Sequence, residues 1–189
     1  MTEFSYFLLY KPPGFISQHY SDLAKKKTLR DVHIFSEGVQ PIGRLDEDSE
    51  GLLLLTNDRE FHHRTLSHRS MEKEYWVQVG GVVTPEHVTA LEQGVAISVE
   101  GVPYTTKPCR VRILQEPLPI PHRVPHLIKH QNKPYTWLSI TLTEGKNRQI
   151  RRMTAAMGYP TVRLVRVRIN QLLLNTMQPG EVVAIDKPW

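Results

Sequence analysis

Gly43-Arg44-Leu45-Asp46-Glu47-Asp48-Ser49-Glu50-Gly51-Leu52-Leu53-Leu54-Leu55-Thr56-Asn57 is the most informative stretch of the chain. The run 52–55 reads as a buried strand or the start of one. One carboxylate, Asp46, stands between an arginine and that run, close to the core. A carboxylate fixed beside buried structure can serve as a nucleophile or a base, because the fold sets its direction. Asp46, Asp48 and Glu50 before Gly51 could also suggest a calcium loop. That template needs a bidentate Glu at its twelfth position, where this chain has Asn57, and a helix after it. A solvated surface turn is the plain structural alternative. Arg44 weighs against it, since an arginine two residues from an acid can pair with it or hold a phosphate.

Outward from this stretch, residues 4–10 read as a strand stopped by Lys11-Pro12-Pro13-Gly14. Residues 40–45 and 51–56 are predicted strands with the Asp46 loop between them. Thr28 caps a predicted short helix over 29–35, and Asp58 one over 59–67. Residues 74–79 alternate like a strand. Thr84-Pro85-Glu86 starts a helix that Gly94 ends. Strands are predicted over 109–114, 136–143, 161–169 and 181–185. The Pro-rich basic stretch 115–134 reads as a long surface loop. Residues 148–157 have helical spacing, with Ile150, Met153 and Met157 on one side. Strands and helices do not alternate strictly, so the expected class is α+β: a mostly antiparallel central sheet with flanking helices.

With 189 residues the chain can bury one sizeable core or a core plus a small lobe. The expectation is one domain over 1–189 with a small N-terminal lobe over about 1–40. No apolar run reaches the roughly 20 residues that span a bilayer, and the N-terminus lacks signal-peptide character. Cys109 is the only cysteine, so no internal disulfide and no thiolate zinc set can form. These features point to a cytoplasmic protein. The net charge of +5 hides an asymmetry: residues 107–168 carry 13 Lys/Arg against 2 Asp/Glu, and the rest carry 11 against 17. Such a segregated field attracts a polyanion, nucleic acid above all and a membrane surface much less.

Within the basic segment, Glu144-Gly145-Lys146-Asn147-Arg148-Gln149-Ile150-Arg151-Arg152-Met153 sets four cations at or near a predicted helix start, where free amides and the helix dipole already favour anions. Phosphate contact is favoured over an unengaged basic face; it requires that neutralising Arg148 and Arg152 weaken RNA binding and its salt dependence. In Lys73-Glu74-Tyr75-Trp76, adjacent strand residues face opposite ways. Core packing of one ring and exposure of the other is the plain expectation; stacking of Tyr75 on an unstacked base is the functional one. His62 and His63 are adjacent, and Pro121 and Pro125 interrupt the spacing of His122, His126 and His130, so no metal is assigned.

Taken together, these segments resemble the ribosomal RNA pseudouridine synthases of type A, which serve the small ribosomal subunit, and of types B, E and F, which serve the large one. The matching motifs occur in order: Leu8-Leu9-Tyr10-Lys11-Pro12-Pro13-Gly14, the Asp46 loop, Lys73-Glu74-Tyr75, the 144–153 motif, and Leu164-Val165-Arg166 before Gly180-Glu181. The chain opens directly at the catalytic domain without the S4 RNA-binding module of several relatives. With the Pro-rich basic insertion, this sets it nearest to one of the family's branches for the large ribosomal subunit.

The resemblance implies isomerisation of a uridine, in 23S ribosomal RNA first of all, to its C-glycoside, by a monomer without metal or cofactor. It makes Asp46 the nucleophile, attacking the ribose or the base or assisting elimination to a glycal. It makes Tyr75 the ring that stacks on the flipped base, and Arg151 the cation that pairs with the aspartate and keeps it ionised. Arg44, Leu45, Lys146, Arg148, Gln149 and Arg152 are the expected substrate contacts. The physics is compatible: extruding a base costs roughly a few kcal/mol, and a basic cleft offsets this through phosphate contacts. The rival expectations are a non-catalytic RNA-binding or ribosome-assembly factor, and a synthase acting on 16S rRNA or tRNA.

Overall fold

The computed structural model describes residues 4–68, 71–122 and 134–189. The chain forms two compact units, one of Met1–Met71 with Arg166–Trp189 and one of Glu72–Val165.

In the first unit the leucine run becomes β3 (Glu50–Thr56), buried at every position. Leu52 to Leu55 are fully buried. Burying a leucine stabilises by roughly 1.5–3 kcal/mol, which is why this stretch occupies the sheet interior. β3 pairs antiparallel with β1 (Tyr6–Lys11), Leu8 opposite Leu54 and Lys11 opposite Gly51. It also pairs with β2 (Gln40–Ile42). β11 (Val182–Ile185) closes the other side of β1. Alternation sends Leu53 and Leu55 to one face, where they pack with Leu9, Leu29 and Val39.

Gly51 has φ +105°, and a Cβ there would stand 2.3 Å from the carbonyl oxygen of Arg166. Only glycine lets β3 approach that backbone. Arg166, also buried, donates from Nε to the Leu52 carbonyl at 2.7 Å. α1 (Arg59–Ser67) follows, with the Asp58 carboxylate accepting from the Phe61 amide as expected of the cap.

In the second unit β4 (Lys73–Gly80) pairs antiparallel with β8 (Tyr135–Leu142) along its whole length, and β8 with β7 (Arg110–Leu114). β9 (Thr161–Ile169) contributes its first half to this unit and its second half to the other. α2 (Pro85–Gln93) and α3 (Gln149–Ala156) bury Leu91, Ile150 and Met153 with Val77, Val79, Leu138 and Ile140. The α+β class with a large, mostly antiparallel sheet is as the sequence predicts.

Three local expectations change. The helix over 29–35 is a 3-10 turn, Leu29–Asp31. Asp31 closes one turn by accepting from the Thr28 amide and hydroxyl. The Phe35 ring packs edge-on against Phe7, His19 and His33, and the chain leaves the helical path. A hairpin, β5 (Ala96–Val99) and β6 (Val102–Thr105), fills a stretch with no predicted element. Its Glu100-Gly101 turn has positive φ at both residues, the geometry that matches strand twist. A short pairing, β10 (Leu172–Leu173) with β9, is likewise absent from the sequence reading. The loop expected over 115–134 lies partly outside the described residues, as do His126 and His130.

Candidate active site

Asp46 stands between β2 and β3 in the first unit, half-buried, in a loop held from several directions. Ser17, itself buried, grips the preceding residue twice: its hydroxyl donates to the Leu45 carbonyl at 2.8 Å and accepts from the Leu45 amide at 3.0 Å. On the far side, the Glu47 carbonyl accepts from the Gly14 amide at 2.7 Å and lies 3.4 Å from the Lys11 ammonium. The Asp46 carbonyl accepts from the Ser49 amide. The backbone is thus pinned immediately before and after Asp46, which fixes where its side chain leaves the chain.

Lys11 is fully buried at the end of β1. Its ammonium donates to the Pro12 carbonyl at 2.8 Å and the Phe15 carbonyl at 2.6 Å, joining the Pro-Pro-Gly turn to the Asp46 loop. Burial lowers its pKa to about 8, against the opposing pull of Glu50, Asp48 and Asp46. Glu50 is buried too and accepts from the Tyr10 hydroxyl. A cation thus lies beneath the loop, with Asp46 within its field. Leu45 is buried, whereas Arg44 is exposed.

The second unit carries the remaining candidates. Tyr75, opposite Ile140 on β4, packs partly buried against the core beside Val77 and Val79. Trp76 faces the other way, and its indole N–H reaches Glu74 at 3.4 Å.

At the start of α3, Arg148 has φ +50°, and both Lys146 and Arg148 are exposed. Lys146 lies 4.8 Å from the Tyr104 ring centroid. Gln149, only 4% exposed, is committed at both ends: Oε1 accepts from the Lys146 amide at 2.9 Å and Nε2 donates to Glu144 at 2.6 Å. Glu144 also accepts from Tyr104 and from the Lys107 amide. Burial opposes its ionisation, but these donors outweigh burial and hold its pKa below the usual range. Arg152 donates to the Asn147 carbonyl and side-chain oxygen and to the Ser98 carbonyl on β5. Arg151 is partly buried on α3.

Arg44, Leu45 and Asp46 therefore belong to the first unit, and Tyr75, Lys146, Arg148, Gln149, Arg151 and Arg152 to the second. Sequence reasoning misses Ser17 and Tyr104; it singles out Glu144 and Gln149 as motif residues but not the turn they close. Lys11 is visible there as a motif residue but not as a buried prop. Among the described residues, no three His, Cys, Asp or Glu side chains group as a metal set.

Comparison with known proteins extends this picture. The model of the RNA pseudouridylate synthase family matches residues 5–156. Ribosomal large subunit pseudouridine synthase E of Xanthomonas axonopodis pv. citri is 44% identical over 180 residues, covering 94% of this chain and 92% of that one. The protein of the same name from Vibrio vulnificus is 42% identical, covering 94% and 74%. Both names belong to a large-subunit branch of the family, in line with the sequence expectation. A crystal structure of a pseudouridylate synthase superposes with a TM-score of 0.77 at 28% identity, covering 98% of this chain and 72% of that one. The match spans the Asp46 loop, Tyr75 and the basic turn before α3 alike, and on it the chain belongs to the RNA pseudouridylate synthase family.

Proposed function

We propose that this chain, acting as a single catalytic domain, isomerises a uridine of 23S ribosomal RNA to pseudouridine with Asp46 as the nucleophile. The observation that carries the assignment to Asp46 is the grip of Ser17 on Leu45 before it and of Gly14 and Lys11 on Glu47 after it. The choice of RNA rests on the activity that the names of the two relatives state.

In this reading the target nucleotide swings out of its stack and the C1′–N1 bond breaks with the help of the carboxylate. The uracil turns within the closed site, and C1′ bonds to C5. The proton on C5 is lost and N1 gains one, so the reaction is mass-neutral and needs no redox partner. Tyr75 supports the uracil through its ring. Arg151 supplies the positive charge that complements the attacking carboxylate. Lys146, Arg148 and Arg152 meet phosphates, Arg44 meets the backbone near the gap left by the base, and Leu45 helps exclude water. Gln149 acts on the substrate indirectly, by closing the turn that presents Lys146 and Arg148. The protein works in the cytoplasm as a monomer.

Mapping pseudouridines in ribosomal RNA from cells with and without this chain tests the substrate. Loss of modification at one or a few 23S uridines is expected. Loss confined to 16S rRNA or tRNA, or no loss at all, would overturn the assignment.

A further inference from the structure

The basic character of the chain concentrates in residues 107–168, and the remainder is net acidic. Yet the first unit has its own cationic island: Lys25, Lys26, Lys27 and Arg30 against Asp22 and Asp31. Asp31 is already occupied by the Thr28 amide and hydroxyl, at 2.7 and 3.0 Å.

Aromatic surface lies within this island. Tyr20 is 72% exposed, with Leu23 and Ile34 at 64% and 75%. The Arg30 guanidinium sits 4.8 Å from the Tyr20 ring centroid and also donates to its hydroxyl. An arginine that holds an otherwise exposed ring by its cation–π contact and its hydroxyl leaves ring surface free and oriented. The support is rigid where it matters. Arg30 lies in the 3-10 turn, and its neighbour Leu29 is fully buried against Leu9, Leu53 and Leu55. The Leu29 amide donates to the Gln18 carbonyl at 2.8 Å, tying the turn to the approach to Tyr20.

This island is joined to the Asp46 loop within the same unit. Lys26 forms an ion pair with Glu47, the residue after Asp46. The Ile16 amide donates to the Lys27 carbonyl, and the Lys27 ammonium lies 5.4 Å from the Phe15 ring centroid. Ser17, which grips Leu45, is three residues from Tyr20. A strand of RNA delivering a nucleotide to Asp46 would therefore have a ring and several cations beside its path.

We propose that residues 18–34 form a second RNA site, in which an unpaired base flanking the target nucleotide stacks on Tyr20 while Lys25, Lys27 and Arg30 meet the adjoining phosphates. A flat ring serves any base, and cations track a backbone; together they make a platform for single-stranded nucleic acid. The inference rests on the reading that RNA is brought to Asp46, and it adds a contact outside the basic segment 107–168. It gives the platform a purpose: a base held next to the extruded uridine offsets part of the cost of unstacking it.

The test is a coupling cycle between protein and RNA. Dissociation constants are measured for wild-type protein and Tyr20→Ala against an RNA fragment containing the modified uridine. Each flanking nucleotide is in turn replaced by an abasic residue. Removing the ring is expected to weaken binding about tenfold, as is removing the one base that stacks on it. Making both changes should cost no more than either alone, and Tyr20→Trp should retain wild-type affinity. Unchanged affinity for Tyr20→Ala, or losses that simply multiply at every flanking position, would overturn the proposal. The readout is binding rather than product, so a failure here is distinguishable from a failure of the Asp46 assignment.

Discussion

The Asp46 loop and the turn before α3 both carry charge, and they are built in opposite ways. In the first, the backbone is fixed by side chains from far along the chain: Ser17 on Leu45, and Lys11 reaching Glu47. In the second, a buried neutral side chain, Gln149, closes the turn locally through Lys146 and Glu144 and leaves Lys146 and Arg148 exposed. The difference suits the two tasks proposed for them. Chemistry at one atom needs direction, and a misplacement of about 1 Å can reduce a rate roughly a hundredfold. Phosphate contact needs charge and tolerates motion, because much of its free energy comes from counterion release.

The strongest way to break this contrast is Ser17→Ala. Losing the hydroxyl frees Leu45 and strands its buried amide and carbonyl. We expect kcat to fall roughly a hundredfold, with RNA affinity changed by less than about twofold, and Ser17→Thr to restore much of the rate. An equal loss in binding and rate would mean that Ser17 supports the fold generally rather than Asp46.

Asp58 sharpens the comparison from the side of stability, being a rigid charged group outside the proposed chemistry. Burial opposes its ionisation, but donors from the Phe61 amide, Tyr6 and Lys187 outweigh it and bring its pKa to about 2. Its folded pKa is below its unfolded value of 3.8, so its contribution is fully present above about pH 4 and is lost as pH falls towards 2. Asp58→Asn should destabilise at pH 7 by about 2 kcal/mol through the weakened cap and lost charge-assisted bonds. Its stability should also fall less steeply below pH 4 in acid-unfolding curves. An unchanged acid profile would show that this carboxylate is not held as described.

The smallest expected effect belongs to the exposed cations. Lys146→Ala with Arg148→Ala should weaken RNA binding about tenfold at moderate salt and lower the salt slope by roughly 1–2. The rate on saturated enzyme should change far less than with Ser17→Ala. A salt slope equal to that of the wild type would make this turn a bystander.

Much of this architecture can be read in the chain. The Leu52 to Leu55 run gives β3, Thr84-Pro85 with Gly94 bounds α2, and the pattern over 161–169 matches β9 residue for residue. The β5–β6 hairpin escapes because Pro103 lies in its second strand and its Glu-Gly turn is not among the strongest hairpin signals. The grip of Ser17 cannot be read at all, since its partners are backbone groups 28 residues away. Lysine is almost never fully buried, so the position of Lys11 contradicts what its type suggests. Gln149 reads as a polar contact for substrate, whereas its two hydrogen bonds turn inward.

Single-turnover formation of pseudouridine by Asp46→Asn, with the RNA fully bound, tests the central claim most directly. The amide keeps the shape of the side chain and removes its nucleophilic charge. The account predicts RNA affinity close to that of the wild type and no product over the time in which the wild type converts all its substrate. Product formed at the wild-type rate would contradict it.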